Sequence, residues 1–456
     1  MRVLIINVVC GIGSTGKICA DLAKAFESSG NTVKIAYGRG GKVLPEYKKY
    51  AVRIGNMFDI YSHALLTRIT DRQGSFSKRA TKNFLKWVDL YSPDLLWLHN
   101  IHGYYLNYEL LFQWIKEHPN VRVKWTLHDC WAFTGHCTHF VAVKCNKWKQ
   151  QCEKCPQIRE YPASLLIDNS RLNYKRKKEC FCGVKNMTLI TPSNWLAKLV
   201  KDSFLKEYSV EVIYNQIDET IFKPTLSNFR KVYKLENKIV VLGVASVWNR
   251  KKGLDDFIEL AGMLDDSYAI VLVGLTPRQI KRISKKICGI GQINNAGKLA
   301  EIYSGSDIFV NPSQEESFGM TTAEAARCGT KAIVYERTAC EEVAKEYGGI
   351  AVPIGVEYLY EAITGREYIR GGTPRTAMVI CLPRTNDAKE LAYIYTAADI
   401  FVNPTYEDSF PTTNLEAKAC GTRVITYDVG GCRETLKGNS GSKQKDSGDR
   451  QAAERA

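Results

Sequence analysis

Residues 307–329, DIFVNPSQEESFGMTTAEAARCG, contain a short apolar strand, a polar loop and the start of a helix, in that order. Glu316 lies in the loop and Glu324 just inside the predicted helix, with Phe318 and Gly319 between them. In a parallel α/β sheet, ligands bind at the carboxyl ends of strands, beside the N-termini of the following helices. Two carboxylates at such an edge predict a site for a ligand rich in hydroxyl and phosphate groups. From spacing alone, an ordinary strand–helix connection with solvated acids explains the pattern equally well.

Length and composition predict a globular protein with more than one domain. The chain has 456 residues, of which 45% are hydrophobic and 24% charged, as is typical of folded soluble domains. No run of about 18 apolar residues occurs, so no membrane-spanning helix is predicted. The formal charge of +15 favours anionic partners, namely nucleotide phosphates, nucleic acid or an acidic membrane, although a solvated basic surface explains it as well.

The cysteines and the first residues together predict a reducing compartment. The chain begins MRVLIINVV, which has no small-residue cleavage site and is typical of a first strand. In such a chain, the 15 cysteines are expected as free or metal-bound thiols. We therefore expect a cytoplasmic protein.

The N-terminal half opens with the pattern of a Rossmann-like domain. Residues 2–9 are almost continuously apolar, which is typical of a strand buried on both faces of a parallel sheet. A glycine-rich turn and an amphipathic helix follow, and residues 31–37 form the next predicted strand. This strand–turn–helix–strand order predicts an α/β domain with a parallel sheet.

The glycine-rich turn satisfies two nucleotide-binding motifs only in part. Its glycines at 11, 13 and 16 fit the dinucleotide fingerprint, but the acidic residue expected about 20 positions later is absent, and the second strand ends in Gly38-Arg39-Gly40. Ile18 replaces the magnesium-binding Ser or Thr of a P-loop, which argues against that motif. An NADP-dependent oxidoreductase that uses Arg39 is the alternative, and nothing downstream supports it. What remains is a loop whose backbone can approach a ligand closely.

Histidines collect at the ends of two further predicted strands. The strand at residues 94–98 ends before His99 and His102, and the strand at residues 121–127 ends before His128 and Asp129. Six of the seven histidines lie between residues 99 and 139. A lone histidine is usually an ordinary hydrogen-bonded side chain, but several at neighbouring strand ends predict a functional site.

Four cysteines within 19 residues predict a metal site, namely Cys137, Cys145, Cys152 and Cys155. They have the ligand type and compactness of tetrahedral zinc, and four thiolates leave no open position for water, so the zinc would be structural. The alternative is four reduced thiols in a packed loop.

The C-terminal half begins a second α/β pattern after a proline-containing linker near residue 223. Its first predicted strand leads into a loop with Arg250, Lys251 and Lys252 ahead of Gly253. Basic side chains between a strand end and a helix N-terminus suit a diphosphate. A solvated turn is the alternative.

The end of this half is present twice. Residues 391–435 repeat residues 299–343 at a constant offset of 92, with 23 of 45 positions identical and no gap. Glu316 corresponds to Asp408, and Glu324 persists as Glu416. The repeat lacks a second basic loop, and only the short apolar run at residues 379–383 introduces it. The polar residues after 437 are predicted to be disordered.

Taken together, five stretches resemble the retaining GT-B glycosyltransferases of family 4, most closely those of bacterial capsules and exopolysaccharides. These are VCGIGSTGKIC (9–19), LHNIHGYY (98–105), TLHDCWAFTGHC (126–137), GVASVWNRKKGLDDFI (243–258) and NPSQEESFGMTTAEAARCGT (311–330). The resemblance implies an α/β chain of the GT-B fold, with two Rossmann-like domains facing a cleft. The expected organisation is an N-terminal acceptor domain (1–223) with a Cys-rich insertion (137–155), a donor-binding domain (224–363), a partial repeat (364–437) and a tail (438–456).

The resemblance also implies roles for individual residues. Catalysis would fall to His128, Glu316 and Lys252, which would contact the donor sugar and neutralise the leaving diphosphate. The donor would be bound by Arg250, Lys251, Phe318, Gly319, Met320, Thr321 and Glu324. The turn of Gly13, Ser14, Thr15 and Gly16 would close on the phosphates, and the acceptor side would include His99, His102 and Asp129.

The implied activity is transfer of a hexose-type unit, with retention, from a nucleotide-sugar donor to a glycan or lipid-linked acceptor in surface polysaccharide biosynthesis. The chemistry would need no bound metal, and nucleic acid is not an expected partner. A basic helix around Lys175 and Lys178 could dock peripherally on the inner, anionic face of a membrane, although a solvated surface is the simpler explanation of its charge. Ser246 stands where many members carry a basic residue. The repeat occupies the place of the C-terminal helix that normally braces the N-terminal domain in this family. The alternative is therefore a catalytically impaired GT-B-like protein that binds a nucleotide or an anion.

Overall fold

The structure is a computed structural model. It describes residues 1–365, 385, 387–398, 400–403, 410–427, 432, 435 and 443–445. Two compact units divide the chain, Met1–Met378 and Val379–Ala456, and each is described by itself. In the described part of the chain, no helix is both long and apolar enough to cross a bilayer.

The first half of the larger unit is built on a seven-stranded parallel sheet. Its strands are β1 (Arg2–Asn7), β2 (Thr32–Tyr37), β3 (Ala51–Arg53), β4 (Leu95–Leu98), β5 (Arg122–Thr126), β6 (Met187–Thr191) and β7 (Val210–Val212). Their order in the sheet is β3-β2-β1-β4-β5-β6-β7. Strand β1 lies inside the sheet, and Val3 to Ile6 are fully buried, as its continuous apolar sequence predicts.

Six helices cover this sheet. They are α1 (Gly13–Ser28), α2 (Met57–Thr70), α3 (Lys78–Tyr91), α4 (Tyr108–Glu117), α5 (Ser170–Phe181) and α6 (Asn194–Lys201). The side chain of Ser193 accepts a hydrogen bond from the backbone N–H of Leu196 at 3.2 Å and so caps the N-terminus of α6.

The second half repeats the architecture with six parallel strands. They are β8 (Ile239–Val244), β9 (Tyr268–Val273), β10 (Ile287–Ile290), β11 (Ile308–Asn311), β12 (Lys331–Tyr335) and β13 (Ile350–Val352), in the order β10-β9-β8-β11-β12-β13. The helices are α7 (Phe229–Tyr233), α8 (Leu254–Met263), α9 (Pro277–Arg282), α10 (Ala296–Ser304), α11 (Met320–Arg327), α12 (Ala339–Glu346) and α13 (Val356–Thr364). The predicted α/β fold with two Rossmann-like domains is confirmed. The domain boundaries stay predictions.

The smaller unit contains the repeated segment. Its elements are α14 (Ala388–Ala397), β14 (Ile400–Asn403), α15 (Thr412–Ala419), β15 (Arg423–Tyr427) and β16 (Lys443–Lys445), with the strands parallel in the order β14-β15-β16. The first four have the same order as α10, β11, α11 and β12. The rings of Tyr395 and Phe401 meet edge to face at 5.3 Å, as those of Tyr303 and Phe309 do at 5.7 Å.

The predicted disordered tail needs a correction at Lys443–Lys445, because these residues form a strand that pairs with β15. Backbone ladder hydrogen bonds do not require apolar side chains, so a polar segment can extend a sheet edge. The rest of that tail, and the apolar run at residues 379–383, lie outside the described residues.

Candidate active site

A cavity of about 350 Å³ lies between the strand ends of the two Rossmann-like domains, and we call it the interdomain cavity. Side chains of both domains line it. From the N-terminal domain these include Ser14, Thr15, Asn100, His128, Asp129, His139 and Asn215, and from the C-terminal domain Ser246, Trp248, Lys252, Glu316, Phe318, Gly319, Met320 and Thr321.

A glycine allows the basic loop to lie against the loop that follows β11. Gly253 has φ +76°, and a Cβ there would lie 2.3 Å from Cγ of Pro312. The side chain of Asn249 accepts a hydrogen bond from the backbone N–H of Lys252 at 3.0 Å and so fixes the turn. Any other residue at 253 would push the two loops apart. The close approach is what brings Lys252 to the carboxylates after β11.

Of the three basic residues in this loop, only Lys252 lines the interdomain cavity. Its ammonium pairs with the carboxylate of Glu316. Lys251 pairs instead with Glu315 at 3.1 Å and also donates a hydrogen bond to the side chain of Gln157. Arg250 is exposed. Because Lys252 is the cation inside the cavity, it is the one positioned to attract a phosphate there.

The helix α11 begins at the cavity wall. Gly319 has φ +93° and is its N-cap, without a side-chain cap, and a Cβ at 319 would lie 2.6 Å from Sγ of Cys340. Phe318, Met320 and Thr321 complete this wall. The first backbone N–H groups of a helix and its dipole favour anions, so the wall suits a phosphate or a sugar oxygen.

Glu324 lies further along α11 and is absent from the cavity lining. The hydroxyl of Tyr303 donates a hydrogen bond to Oε2 of Glu324 at 3.0 Å. Burial raises the pKa of Glu324 to about 7, against the opposing effects of that hydrogen bond and of the nearby Lys17 ammonium. Lys17 belongs to α1, so a positive charge of the N-terminal domain interacts electrostatically with the carboxylate of Glu324.

His128 is an uncharged ring held by a second histidine. Its Nε2 lies 2.9 Å from Nδ1 of His99, and the rings stack at 5.2 Å. Burial lowers the pKa of His128 to about 4, although the Asp129 carboxylate opposes the shift. At neutral pH the imidazole is therefore neutral. It can exchange hydrogen bonds with sugar hydroxyls but adds no positive charge to the cavity.

Asp129 is held by His102 and remains ionised. Its Oδ2 lies 2.9 Å from Nε2 of His102, and its Oδ1 accepts from the backbone N–H of Trp131 at 2.8 Å. Burial alone would raise the pKa of Asp129, but the attraction and hydrogen bond of His102 outweigh it and lower the pKa to about 2. Neither His99 nor His102 is part of the cavity lining. They hold the two side chains that are.

The glycine-rich turn contributes Ser14 and Thr15 to the cavity, whereas Gly13 and Gly16 are not among its lining residues. The turn is fixed by Asn7, a fully buried residue that the motifs did not single out. Its side-chain amide donates to the carbonyl of Val9 at 2.8 Å and to Oγ1 of Thr15 at 3.3 Å. The sequence did contain one signal for Asn7, because it is a polar residue at the end of an otherwise apolar strand.

His139 is a further cavity residue that the sequence did not distinguish from the other histidines. Its Nδ1 is buried and has no hydrogen-bond partner among the described residues. Its carbonyl accepts from the side chain of Gln157 at 2.6 Å, and Gln157 in turn accepts from Lys251 at 2.7 Å. Gln157, just after the Cys-rich segment, thus links His139 to the basic loop of the other domain.

The four cysteines of that segment line a separate small pocket together with His136. A hydrogen bond from the Cys137 thiol lowers the pKa of Cys155 to about 7. In the described part of the chain, no three His, Cys, Asp or Glu side chains are arranged so that they could hold a metal ion. The structural zinc at Cys137, Cys145, Cys152 and Cys155 stays a prediction.

The loop after β11 also joins the two domains. The hydroxyl of Ser317 donates to the carbonyl of His128 at 2.5 Å, and the hydroxyl of Ser193 donates to the carbonyl of Ser317 at 2.8 Å. Ser317 stands between Glu316 and Phe318, so the residues that line the cavity are tied directly to the opposite domain.

The basic helix predicted to face a membrane is α5, and one of its lysines faces inward. Lys177 is only 2% exposed, and its ammonium donates to the carbonyls of Trp131 at 2.7 Å and Thr134 at 3.0 Å. It also lies 3.6 Å from the centre of a Trp131 ring, and burial lowers its pKa to about 7. Lys177 therefore adds nothing to a basic surface on α5. Contact of this helix with a membrane stays a prediction.

Comparisons with known proteins agree with this architecture. Residues 226–364 and 375–454 match the family model of glycosyl transferases group 1. The putative colanic acid biosynthesis glycosyl transferase WcaC of Escherichia coli is 25% identical over 371 residues, which are 77% of this chain and 87% of that protein. The N,N'-diacetylbacillosaminyl-diphospho-undecaprenol alpha-1,3-N-acetylgalactosaminyltransferase of Campylobacter jejuni is 32% identical over 127 residues, 27% of this chain and 33% of that protein.

Among solved structures, sucrose-phosphate synthase of Thermosynechococcus elongatus has the same fold, with a TM-score of 0.58 at 16% identity, over 79% of this chain and 88% of that one. The fold, the cavity between the domains and the family match lead to one conclusion. The chain has the GT-B fold, and its second half is similar to the group 1 glycosyltransferases.

Proposed function

We propose that this protein transfers a hexose-type unit from a nucleotide-sugar donor to a glycan or lipid-linked acceptor, with retention of stereochemistry, in the assembly of a surface polysaccharide. The observation that carries the proposal is the Lys252–Glu316 pair in the interdomain cavity, beside the start of α11. The similarity to a putative colanic acid glycosyl transferase supports the polysaccharide context. A cytoplasmic location at the inner face of a membrane fits such an acceptor.

In the proposed reaction, the bond between the sugar's anomeric carbon and the diphosphate breaks, and a bond to an acceptor hydroxyl oxygen forms. The acceptor proton passes to the departing diphosphate. Lys252 and the first amides of α11 neutralise the charge that develops on the leaving group, which is the main electrostatic need of this step. Glu316 and neutral His128 hold the sugar from opposite domains, and Glu324 binds the ribose hydroxyls. No bound metal is required for these roles.

The identity of the donor is the first property to determine. A panel of nucleoside diphosphates and nucleotide sugars in a thermal-unfolding assay identifies it, because a ligand that binds only the folded protein raises its apparent stability. Binding without turnover would support the alternative of a catalytically impaired GT-B protein.

Substitution of the central pair tests the catalytic assignment. With the identified donor, Glu316→Gln and Lys252→Ala are each expected to lower turnover by about 100-fold or more, as the loss of a group that stabilises developing charge does. Glu301→Gln and Lys285→Ala remove similar side chains at exposed positions of the same domain and serve as controls. Unchanged turnover in both cavity variants would overturn the proposal.

A further inference from the structure

A second cavity, of about 770 Å³, lies in the N-terminal domain beyond the end of β2, and we call it the basic cavity. Four basic side chains line it, namely Arg39, Lys42, Lys48 and Arg53, and its lining contains no carboxylate. Gly38-Arg39-Gly40 follows β2 at the point where the dinucleotide fingerprint would have an acidic residue. Arg39 has no role in the proposed transfer site. Four cations around one cavity without a neutralising acid suit a ligand with more than one negative charge.

The backbone around Arg39 fixes this arrangement. The N–H of Arg39 donates to the carbonyl of Val8 at 2.8 Å, and its guanidinium lies 5.8 Å from the centre of the Tyr104 ring. A Cβ at Gly38 would lie 2.0 Å from Cβ of Tyr105, and Gly40 has φ +107°. The two glycines are therefore what lets the chain turn here and present Arg39 at the strand end.

The basic cavity is close to the transfer site. A Cβ at Gly40 would lie 3.0 Å from Cδ1 of Ile12, which belongs to the glycine-rich turn. Two and three residues later, Ser14 and Thr15 of that turn line the interdomain cavity. The turn that lines the interdomain cavity thus lies next to Gly40, which lines the basic cavity.

One wall of the basic cavity is the start of α2, whose outer face is apolar. Phe58, Tyr61, Leu65 and Ile69 are 78%, 66%, 59% and 39% exposed. Their spacing places them on one side of a helix about 21 Å long, at 1.5 Å per residue. Tyr61 also lines the basic cavity. The apolar face of α2 therefore lies directly beside the basic side chains of this cavity.

The apolar face continues onto a neighbouring loop. The backbone N–H of Leu165 donates to the carbonyl of Arg68, near the end of α2, at 2.8 Å. Leu165 and Leu166 are 68% and 78% exposed. The opposite side of α2 already faces the core through Ile60, His63, Ala64 and Thr67. A helix apolar on two sides needs a second apolar partner, and no described residue covers this one.

We propose that the basic cavity binds the diphosphate of a lipid-linked acceptor, while the apolar face of α2 and residues 165–167 rests in the membrane that carries the lipid chain. The proposal rests on the proposed function and names its acceptor class. Cations beside exposed aromatic and aliphatic side chains match the charged and apolar parts of one such lipid. Docking would thus use α2 rather than α5.

Vesicle flotation tests this binding without a donor and without turnover. Three compositions are compared: phosphatidylcholine alone, phosphatidylcholine with phosphatidylglycerol, and phosphatidylcholine with a polyprenyl diphosphate at equal total charge. We expect the protein to bind the polyprenyl diphosphate vesicles most tightly. Equal binding to the two anionic vesicles would overturn the diphosphate site, and no binding to either would overturn the whole proposal.

Two sets of variants separate the halves of the proposal. Lys42→Gln, Lys48→Gln and Arg53→Gln together should weaken binding to the polyprenyl diphosphate vesicles by about 100-fold, since each cation near a charged membrane contributes about fivefold. Lys281→Gln, Arg282→Gln and Lys285→Gln remove the same charge from exposed positions of the other domain and should leave that binding within about twofold. If both triple variants lose binding equally, only net charge matters and the basic cavity is not a site.

Two further triple variants, one of them a control, test the apolar face of α2 and residues 165–167. Phe58→Ser, Leu65→Ser and Leu166→Ser should lower binding to all three vesicles by roughly tenfold or more, because each side chain loses its burial in the acyl region. Leu90→Ser, Leu226→Ser and Val232→Ser change positions that are 85%, 99% and 69% exposed and serve as the control. Unchanged binding of the first triple variant would overturn the membrane-facing role of α2. Because vesicle binding needs no glycosyl transfer, failure of the proposed reaction would be seen separately.

Discussion

Glu324 is the acid of the candidate site whose proton exchanges near neutral pH. Burial disfavours the charged carboxylate and raises its pKa to about 7, while the Tyr303 hydroxyl at 3.0 Å supports the ionised form without restoring an ordinary value. In the proposed function Glu324 binds the ribose hydroxyls, and an ionised carboxylate accepts their hydrogen bonds more strongly than a neutral carboxyl group does. In that proposed function, donor and proton therefore compete for this side chain.

This competition predicts a pH dependence of donor affinity. As the pH falls below about 7, we expect the affinity for a nucleotide sugar to fall by up to about tenfold per pH unit, because binding must first release a proton from Glu324. The phosphodiester groups of a nucleotide sugar do not titrate in this range, so calorimetry across it reports on the protein. In Glu324→Gln the dependence should be lost and the affinity low throughout. A wild-type affinity that is constant across this range would contradict the prediction.

At the scale of elements, the start of α6 is held by an acid of the opposite domain. The carboxylate of Glu342, on α12, accepts from the backbone N–H groups of Asn194 at 2.9 Å and Trp195 at 3.0 Å, and also from the hydroxyl of Tyr214. Burial would raise the pKa of Glu342, but these hydrogen bonds outweigh it and lower the pKa. The contact stabilises the association of the two domains, because it satisfies otherwise unpaired N–H groups at a helix N-terminus.

Removal of this carboxylate should loosen the two domains. Glu342→Ala is expected to cost about 1–3 kcal/mol of interdomain stability, the usual cost of leaving partly buried donors unpaired, and to weaken donor binding while leaving each domain folded. Small-angle scattering and calorimetry would measure the two effects, with the exposed Glu346→Ala on the same helix as control. Since the pKa of Glu342 is lowered, the contribution is present above the ordinary range of a carboxyl and is lost as the pH falls through the lowered pKa. Scattering curves that coincide for both variants would argue against the contact.

The elements themselves could be predicted because their signals are local. The apolar runs of β1, β4 and β11 and the glycine-rich turn identify a parallel α/β fold without any knowledge of pairing. The contact of Glu342 with Asn194 joins residues 148 positions apart, and no local pattern encodes it. His139 was not predicted as a cavity residue for the same reason, because its position depends on how the Cys-rich segment packs. Lys252 and Glu316 could be predicted because each follows a strand that ends at the cleft.

At the scale of the whole molecule, the chain contains two versions of one helix–strand–helix–strand segment. In the first, Tyr303 donates to Glu324, and in the second the hydroxyl of Tyr395 lies 3.4 Å from Oε2 of Glu416. The second version has Pro411 where the first has Gly319. A proline cannot adopt the positive φ of Gly319, and Pro411 has φ −70°, so the backbone conformation at the start of α11 is not reproduced at the start of α15.

The two glutamates give a matched comparison within one chain. Glu324→Gln is expected to weaken nucleotide-sugar binding by roughly tenfold or more, because a charged hydrogen-bond acceptor is lost, whereas Glu416→Gln should leave the affinity unchanged within about twofold. Titration calorimetry of the full chain measures both. A larger loss in Glu416→Gln would show that the repeated segment, rather than the first, binds the donor.

The hydrogen bonds of Ser317 have a kinetic consequence. This residue joins the carbonyl of His128 and the hydroxyl of Ser193, and its neighbours on either side line the interdomain cavity. Any separation of the two domains at this point has to break both hydrogen bonds. If the proposed donor site is correct, departure of the spent nucleotide includes that step, and the loop after β11 then acts in product release as well as in donor binding.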